Sequence, residues 1–168
     1  MSTLRIAGII RESIVDGPGI RFVVFSQGCT HKCKGCHNPE THDIKSGYEI
    51  SINKILEEIK KDPLVSGVTF SGGDPFLQAK EFAALAEEIH KLGLNIITYT
   101  GYTIEQLING LDTNPYWKRL LLQTDTLIDG PFILEKKSLM LRFRGSENQR
   151  IIDPKESIEK GYAVEKDF

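Results

Sequence analysis

The sequence has only three cysteines in 168 residues, and no fourth to complete two disulfides or a four-thiolate site. An odd, sparse set of this kind excludes a disulfide-stapled scaffold. Long hydrophobic runs are also missing. Near its start the chain offers only Ile6 to Ile10, after Arg5, which is too short for a secretory core or a bilayer span and leads us to expect a cytoplasmic protein. Neither sign of charge is in excess: 21 basic and 23 acidic side chains leave a net charge of -2, so composition exerts no general pull toward nucleic acid or an anionic membrane. There is no internal repeat, low-complexity stretch or shift of composition that marks a linker. A chain of this length can bury about 70% of its unfolded surface in one core, and a single domain over residues 1–168 is the expected organisation.

What is present is alternation. Ile20 to Phe25 reads as a buried strand and runs into the cysteine loop. Ser51 caps a helix whose Ile52, Ile55, Leu56 and Ile59 share one face before Pro63. Val68 to Phe70 is a second strand, ending in Ser71-Gly72-Gly73-Asp74-Pro75, and Phe82, Leu85, Ala86, Ile89 and Leu92 line the next helix, which Gly93 closes. A third strand, Asn95 to Thr100, leads to a capping box made by Thr103 and Gln106. Asn114-Pro115 opens a short helix carrying Trp117, and Thr126 to Ile128 is a fourth strand, ending in Asp129-Gly130-Pro131. Leu139, Leu141 and Phe143 alternate as in a half-buried strand, Gln149 to Ile152 reads as another, and the residues after Pro154 read as a polar tail. This order predicts an α/β fold with a mainly parallel sheet of roughly four to six strands, too few to close an eight-stranded barrel. The expected form is an incomplete, laterally open (β/α) partial barrel. Ligands of such sheets bind at the carboxyl ends of the strands, where the four unusual loops should converge.

Cys29, Cys33 and Cys36 stand in the spacing Cys-x-x-x-Cys-x-x-Cys, which suits three thiolates around one corner of an iron–sulfur cubane and leaves one iron open to a ligand that is not protein. Two other readings stay open at this point: a structural zinc site with His31, His37 or His42 as fourth ligand, and three unrelated buried thiols. Each histidine taken alone reads as a packing or surface residue, His90 above all. Gly72-Gly73-Asp74 is equally a strand-to-helix turn or a cradle in which backbone groups come close to a ligand.

The cysteine spacing resembles the radical S-adenosylmethionine (SAM) superfamily. The stretch from Asp16-Gly17-Pro18-Gly19-Ile20-Arg21 to Gly28-Cys29, with Cys36-His37-Asn38, resembles the glycyl-radical-enzyme activases within it. Thr100-Gly101-Tyr102-Thr103, Asp129-Gly130-Pro131-Phe132 and Arg144-Gly145-Ser146-x-Asn148-Gln149 resemble the activases of anaerobic (class III) ribonucleotide reductase, so the likeness covers nearly all of residues 6–152. It implies a 4Fe-4S cluster on Cys29, Cys33 and Cys36, with SAM chelating the open iron. Gly72, Gly73 and Asp74 stand where the superfamily has Gly-Gly-Glu, Asp74 accepting from the SAM ammonium. Thr98, Thr100 and Gly101 would face its methionine or ribose part, and Asp129 would either orient the carboxylate through a cation or cap a turn. Many superfamily members carry an aromatic residue before the third cysteine; here it is Gly35, as in the reductase activases, and His37 is the nearest ring to meet adenine. Arg142 and Arg144 would bind a carboxylate or a partner, or be solvated strand residues.

The activity this implies is reductive cleavage of SAM and removal of a hydrogen atom from a glycine of the large reductase. The cofactors carry that chemistry, so no catalytic side chain is named. The implied partners are the glycyl-radical protein and an electron donor such as flavodoxin or ferredoxin, with neither nucleic acid nor membrane. The rivals are an activase of the pyruvate formate-lyase type, a small-molecule enzyme of the deazaguanine synthase type, a non-enzymatic iron–sulfur electron carrier and a zinc-stapled binding module.

Overall fold

The computed structural model describes residues 2–31 and 41–168. Its frame is a sheet with seven strands among the described residues, in the order β3-β1-β2-β4-β5-β6-β7. The strands are β1 (Thr3–Ser13), β2 (Arg21–Ser26), β3 (Tyr48–Ser51), β4 (Gly67–Gly72), β5 (Asn95–Tyr99), β6 (Thr126–Asp129) and β7 (Arg150–Ile152). The central four, β2, β4, β5 and β6, run parallel, and the flanking pairs β1–β2, β1–β3 and β6–β7 are antiparallel. Because β3 and β7 do not pair with each other, the sheet stays open, as expected of a partial barrel.

The helices are α1 (Ile52–Lys60), α2 (Ala79–Lys91), α3 (Ile104–Asn109), α4 (Pro115–Gln123) and α5 (Pro154–Lys160). Their starts follow the sequence signals: the Ser51 hydroxyl accepts from Lys54 N, and Thr103 and Gln106 form the reciprocal capping box. Strand parity then divides the molecule. Phe22, Val24, Val68, Phe70, Ile96 and Leu127 face the helices and pack with Ile55, Phe82, Leu85, Ile89 and Leu120 in one buried cluster. Phe70 and Phe82 meet at 4.8 Å between ring centroids. Arg21, Thr69, Ile97 and Tyr99 have the opposite parity and line the other face. The Asp16–Gly19 loop lies across them: the Thr69 hydroxyl donates to Asp16 O (2.8 Å) while accepting from Arg21 Nε (2.7 Å), and Arg21 also donates to Val68 O.

Three sequence expectations change. The short run at Ile6 to Ile10 is part of a full strand, β1, whose Leu4 and Ile6 are buried. With β3 and β7 it brings the sheet to seven strands rather than four to six. Leu139 to Phe143 form no strand. Leu139 is 88% exposed, and the chain turns through Phe143 at φ +62°. Beyond Pro154 lies α5 instead of a polar tail. Asp153 accepts from Glu156 N, Pro154 takes the first helical turn, and Gly161 ends the helix at φ +77°.

Glu58 on α1 joins that helix to β1, accepting from Arg11 (2.8 Å) and pairing with Lys61 (3.0 Å) and Lys54 (3.3 Å). Chiefly through Arg11 and then the two lysines, its carboxyl is held down at about 2 from an ordinary 4.5. A lowered carboxyl stabilises the fold above the unfolded value and loses that contribution as pH falls toward the folded one. Glu58→Gln is therefore expected to flatten the decline in urea midpoint between pH 4.5 and about 2; an unchanged acid limb would contradict this role.

Candidate cofactor and active site

At the carboxyl ends of the parallel strands lies a cavity of about 370 Å³, a size within the roughly 300–1,000 Å³ usual for small-molecule sites. Its lining draws on all four expected loops: Cys29 after β2, Gly72 and Gly73 after β4, Thr100 and Gly101 after β5, and Gly130 after β6. Cys29 is half-buried there. Cys33, Gly35, Cys36 and His37 lie outside the described residues. The two ends of their segment are pinned side by side, with Gly28 N donating to Thr41 O (2.6 Å) and Cys29 N to His42 O (3.2 Å).

The Gly72-Gly73-Asp74 turn is built against that root. Gly73 N donates to Ser26 O and Asp74 N to Gly28 O. Gly72 has φ +92°, and a Cβ on Gly73 would lie 2.3 Å from Gly28 O and 2.9 Å from Thr41 O, both backbone atoms. Only glycine lets three chain segments meet here. The turn therefore offers what a cradle needs, bare backbone beside a cysteine.

Asp74 behaves differently from the expectation. It is 1% exposed, and its two oxygens accept from Phe76 N (3.0 Å), the Thr100 hydroxyl (2.9 and 3.1 Å), Gly101 N (3.0 Å) and His31 Nε2 (2.6 Å). A carboxylate has about four lone-pair sites, and all are used within the chain, leaving none directed at a ligand's ammonium. His31 is equally occupied. Its ring stands edge-on to Tyr102 at 4.5 Å and close against Gly101; Tyr102 in turn meets Trp117, whose indole donates to Phe76 O.

Two further expected residues are not brought to the cavity. Thr98 is buried on the helix-facing side, its hydroxyl paired with that of Thr124 (2.9 Å). Asp129 accepts from Ile104 N at the start of α3 and from Arg150 (2.6 and 3.1 Å), which is the turn-capping alternative. Arg150 also pairs with Glu105, lowering the Glu105 carboxyl and raising its own value. His90 binds Gln123 and Asp125 on the far side of the sheet. Of the two arginines, Arg144 lines the cavity, whereas Arg142 is exposed and lies over the Phe143 ring.

The cavity also takes residues to which sequence reading gave no place at the site: Tyr99, Phe132, Leu141, Phe143 and Gln149. Tyr99 was detectable, because it alternates with Thr98 on β5 and so had to face the opposite side. Burial, then Asp16, pushes its phenol up, so it stays protonated, and it donates to Phe143 O at 2.6 Å.

Asp74→Asn puts an N–H₂ among donors in place of one acceptor. A loss of about 2–4 kcal/mol in urea unfolding is expected, with faster hydrogen exchange at Gly101 N. Unchanged stability and exchange would show that the carboxylate does not hold these loops together.

Comparison with known proteins gives these arrangements a family. Residues 15–152 match the family described as a 4Fe-4S single cluster domain. Over 147 residues the chain is 34% identical to the anaerobic ribonucleoside-triphosphate reductase-activating protein of Vibrio cholerae, a match covering 82% of this chain and 90% of that protein. The protein of the same description from Haemophilus influenzae is 31% identical over 146 residues, with the same coverage. The pyruvate formate-lyase-activating enzyme of Listeria monocytogenes is 46% identical, but over 79 residues, 44% of this chain and 32% of that enzyme. A crystal structure of QueE from Escherichia coli overlaps 60% of this chain and 54% of its own at a TM-score of 0.48 and 17% identity, too slight a likeness to argue from. The long matches run nearly from end to end of the reductase-activating proteins, and this chain belongs to their family.

Proposed function

We propose that this protein is a radical SAM activase that forms the glycyl radical of an anaerobic ribonucleotide reductase, with the whole chain acting as one domain. One observation carries the reading: Cys29, the Gly72–Gly73 cradle and a ligand-sized cavity adjoin at the carboxyl ends of the parallel strands. Membership of the reductase-activating family gives the arrangement its substrate. The 4Fe-4S cluster would be held by Cys29, Cys33 and Cys36, with SAM on its open iron against Gly72 and Gly73. When bound, these groups supply the one-electron chemistry, cleavage of the sulfonium and removal of a hydrogen atom from the partner's glycine.

The chain's own side chains hold and shelter. Asp74 fixes the turn and the end of β5 rather than touching the ligand, and Thr100 and Gly101 bring backbone to the cavity wall. Tyr99, Phe132, Leu141 and Phe143 give that wall an apolar character that limits water. The rim suits a large substrate better than a metabolite. Val15 and Leu141 line the cavity, and Val15 with its neighbour Ile14, like Leu139 and Met140 beside Leu141, is at least 71% exposed. Exposed apolar clusters beside a site mark protein contacts. No described helix is long and apolar enough to cross a membrane, which is compatible with work in the cytoplasm alongside a flavodoxin- or ferredoxin-type donor.

Metal analysis, deoxyadenosine release and electron paramagnetic resonance test this. Anaerobic reconstitution should give iron and sulfide near four each per chain, and Cys29→Ser, Cys33→Ser and Cys36→Ser should each abolish deoxyadenosine release. Addition of the large reductase should accelerate that release and produce a glycyl signal in electron paramagnetic resonance. Zinc without iron, or turnover of a small metabolite without a protein partner, would sink the reading. Gly73→Ala, whose methyl meets Gly28 O at 2.3 Å, should keep its far-ultraviolet dichroism but retain less iron; full iron loading would show that the close packing is dispensable.

A further inference from the structure

The region matched to the 4Fe-4S family ends at residue 152, but the chain continues through α5 and returns to the cavity wall. Asp153 N donates to Val164 O (2.8 Å), Lys166 N donates to Ile151 O (2.9 Å), and Ile152 forms an antiparallel bridge with Glu165. These bonds lay residues 164–166 along the outer edge of β7. Beyond them the Phe168 ring meets Phe143 edge-on, 5.1 Å between centroids.

The wall they reach carries two adjacent local costs. Phe143 is the one non-glycine residue with positive φ among those described, a conformation that a bulky side chain keeps only where its surroundings hold it. The neighbouring Arg144 has a buried Nε with no hydrogen-bond partner among the described residues, a further penalty. The bonds on the cavity side are few: Tyr99 donates to Phe143 O, and Arg144 Nη1 donates to Gln149 O (3.1 Å). A second cavity, of about 330 Å³, lies between Arg144 and Glu165, Lys166 and Asp167. The returning segment thus supports this wall at Phe143, through the Phe168 ring.

We propose that residues 164–168 form a brace that holds Phe143 in the cavity wall, Phe168 being a positioning residue that acts on the bound ligand through Phe143. The proposal rests on the reading that the cavity holds SAM. Phe168 is not part of the cavity lining and is 44% exposed, so replacing it removes little of the core while releasing the ring behind Phe143.

The test is equilibrium dialysis of SAM against the full-length, cluster-reconstituted protein. Phe168→Ala should weaken binding about 3- to 10-fold, the range expected for loss of one aromatic pair, and Phe168→Tyr should restore it. In a Phe143→Gly background, which relieves the positive φ and removes the ring, Phe168→Ala should have no further effect. An unchanged dissociation constant in Phe168→Ala, or an equal weakening in the Phe143→Gly background, would overturn the brace while leaving the cofactor reading intact. Loss of far-ultraviolet dichroism in Phe168→Ala would assign the residue to folding and overturn it as well. Failure of the unsubstituted protein to bind SAM would overturn both.

Discussion

One buried carboxylate governs the geometry of the site. Asp74 receives hydrogen bonds from the root of the cysteine loop through His31, from its own following turn through Phe76, and from the end of β5 through Thr100 and Gly101. A fully desolvated carboxylate is tolerated only when its acceptor sites are filled. The loops must therefore close on it together, since each leaves the others unsatisfied if it moves away. That mutual dependence turns three glycine-containing segments into one wall. It also explains the tight packing around them, with His31 against Gly101 and Gly73 against Gly28, where a side chain of any size would push the donors out of reach.

A second buried charge does comparable work on the concave face of the sheet. Arg21 is 1% exposed, and burial lowers its guanidinium to about 10 from an ordinary 12.5, against the opposing influence of Tyr99, Asp125 and Asp16. It remains charged at neutral pH. Its donors go to Thr69, Val68 O and Pro18 O, and Thr69 passes the connection on to Asp16 O. The Asp16–Gly19 loop is thereby laid over the inside of the open sheet. Gly17 presses on Ile97 and the Arg21 stem, with no room for a Cβ. The loop fills the lower part of a barrel that has too few strands to fill itself, and the cavity is what remains above it. A face that seven strands cannot close is closed by a turn.

Much of this was legible in the sequence, and for reasons that can be named. The helices with strong local signals appear where the signals place them: Ser51, the Thr103–Gln106 box and Asn114-Pro115 all start helices. Buried parallel strands read as apolar runs because both of their faces are covered. What escaped was set by pairing rather than by local pattern. Over its eleven residues β1 carries alternation only at Leu4 and Ile6, and its partners are supplied by β2 and β3. Leu139, Leu141 and Phe143 alternate without a neighbouring strand to pair with, so the same pattern yields an exposed turn. At the site the expected strand ends do meet at the cavity, but some of the expected side chains do not face it. Thr98 and Asp129 stand at the right strand ends but with the parity that turns them toward the helices, whereas Tyr99 has the parity of the cavity. Motif position alone does not say which way a strand residue points; counting in twos from Phe22, Val24, Val68 and Phe70 does.

The division of labour that results bears on how the site is enclosed. Four of its buried polar groups, Asp74, Arg21, Asp129 and Thr98, are directed at the chain itself, and the cavity is lined by glycine backbone and apolar side chains together with polar ones such as Asp16, His42 and Arg144. Such a wall binds and orients, which fits chemistry carried by cofactors. It also leaves one requirement unmet, because a site that cleaves a sulfonium must exclude water and stray hydrogen donors. On the side of Val15 and Leu141 the rim is open and its apolar chains face solvent. Under the proposed function that boundary is completed only when the partner's glycine segment lies across it, so shelter and substrate arrive together. On that proposal the cover belongs to the protein being activated, and the exposed apolar rim is the surface on which it would lie.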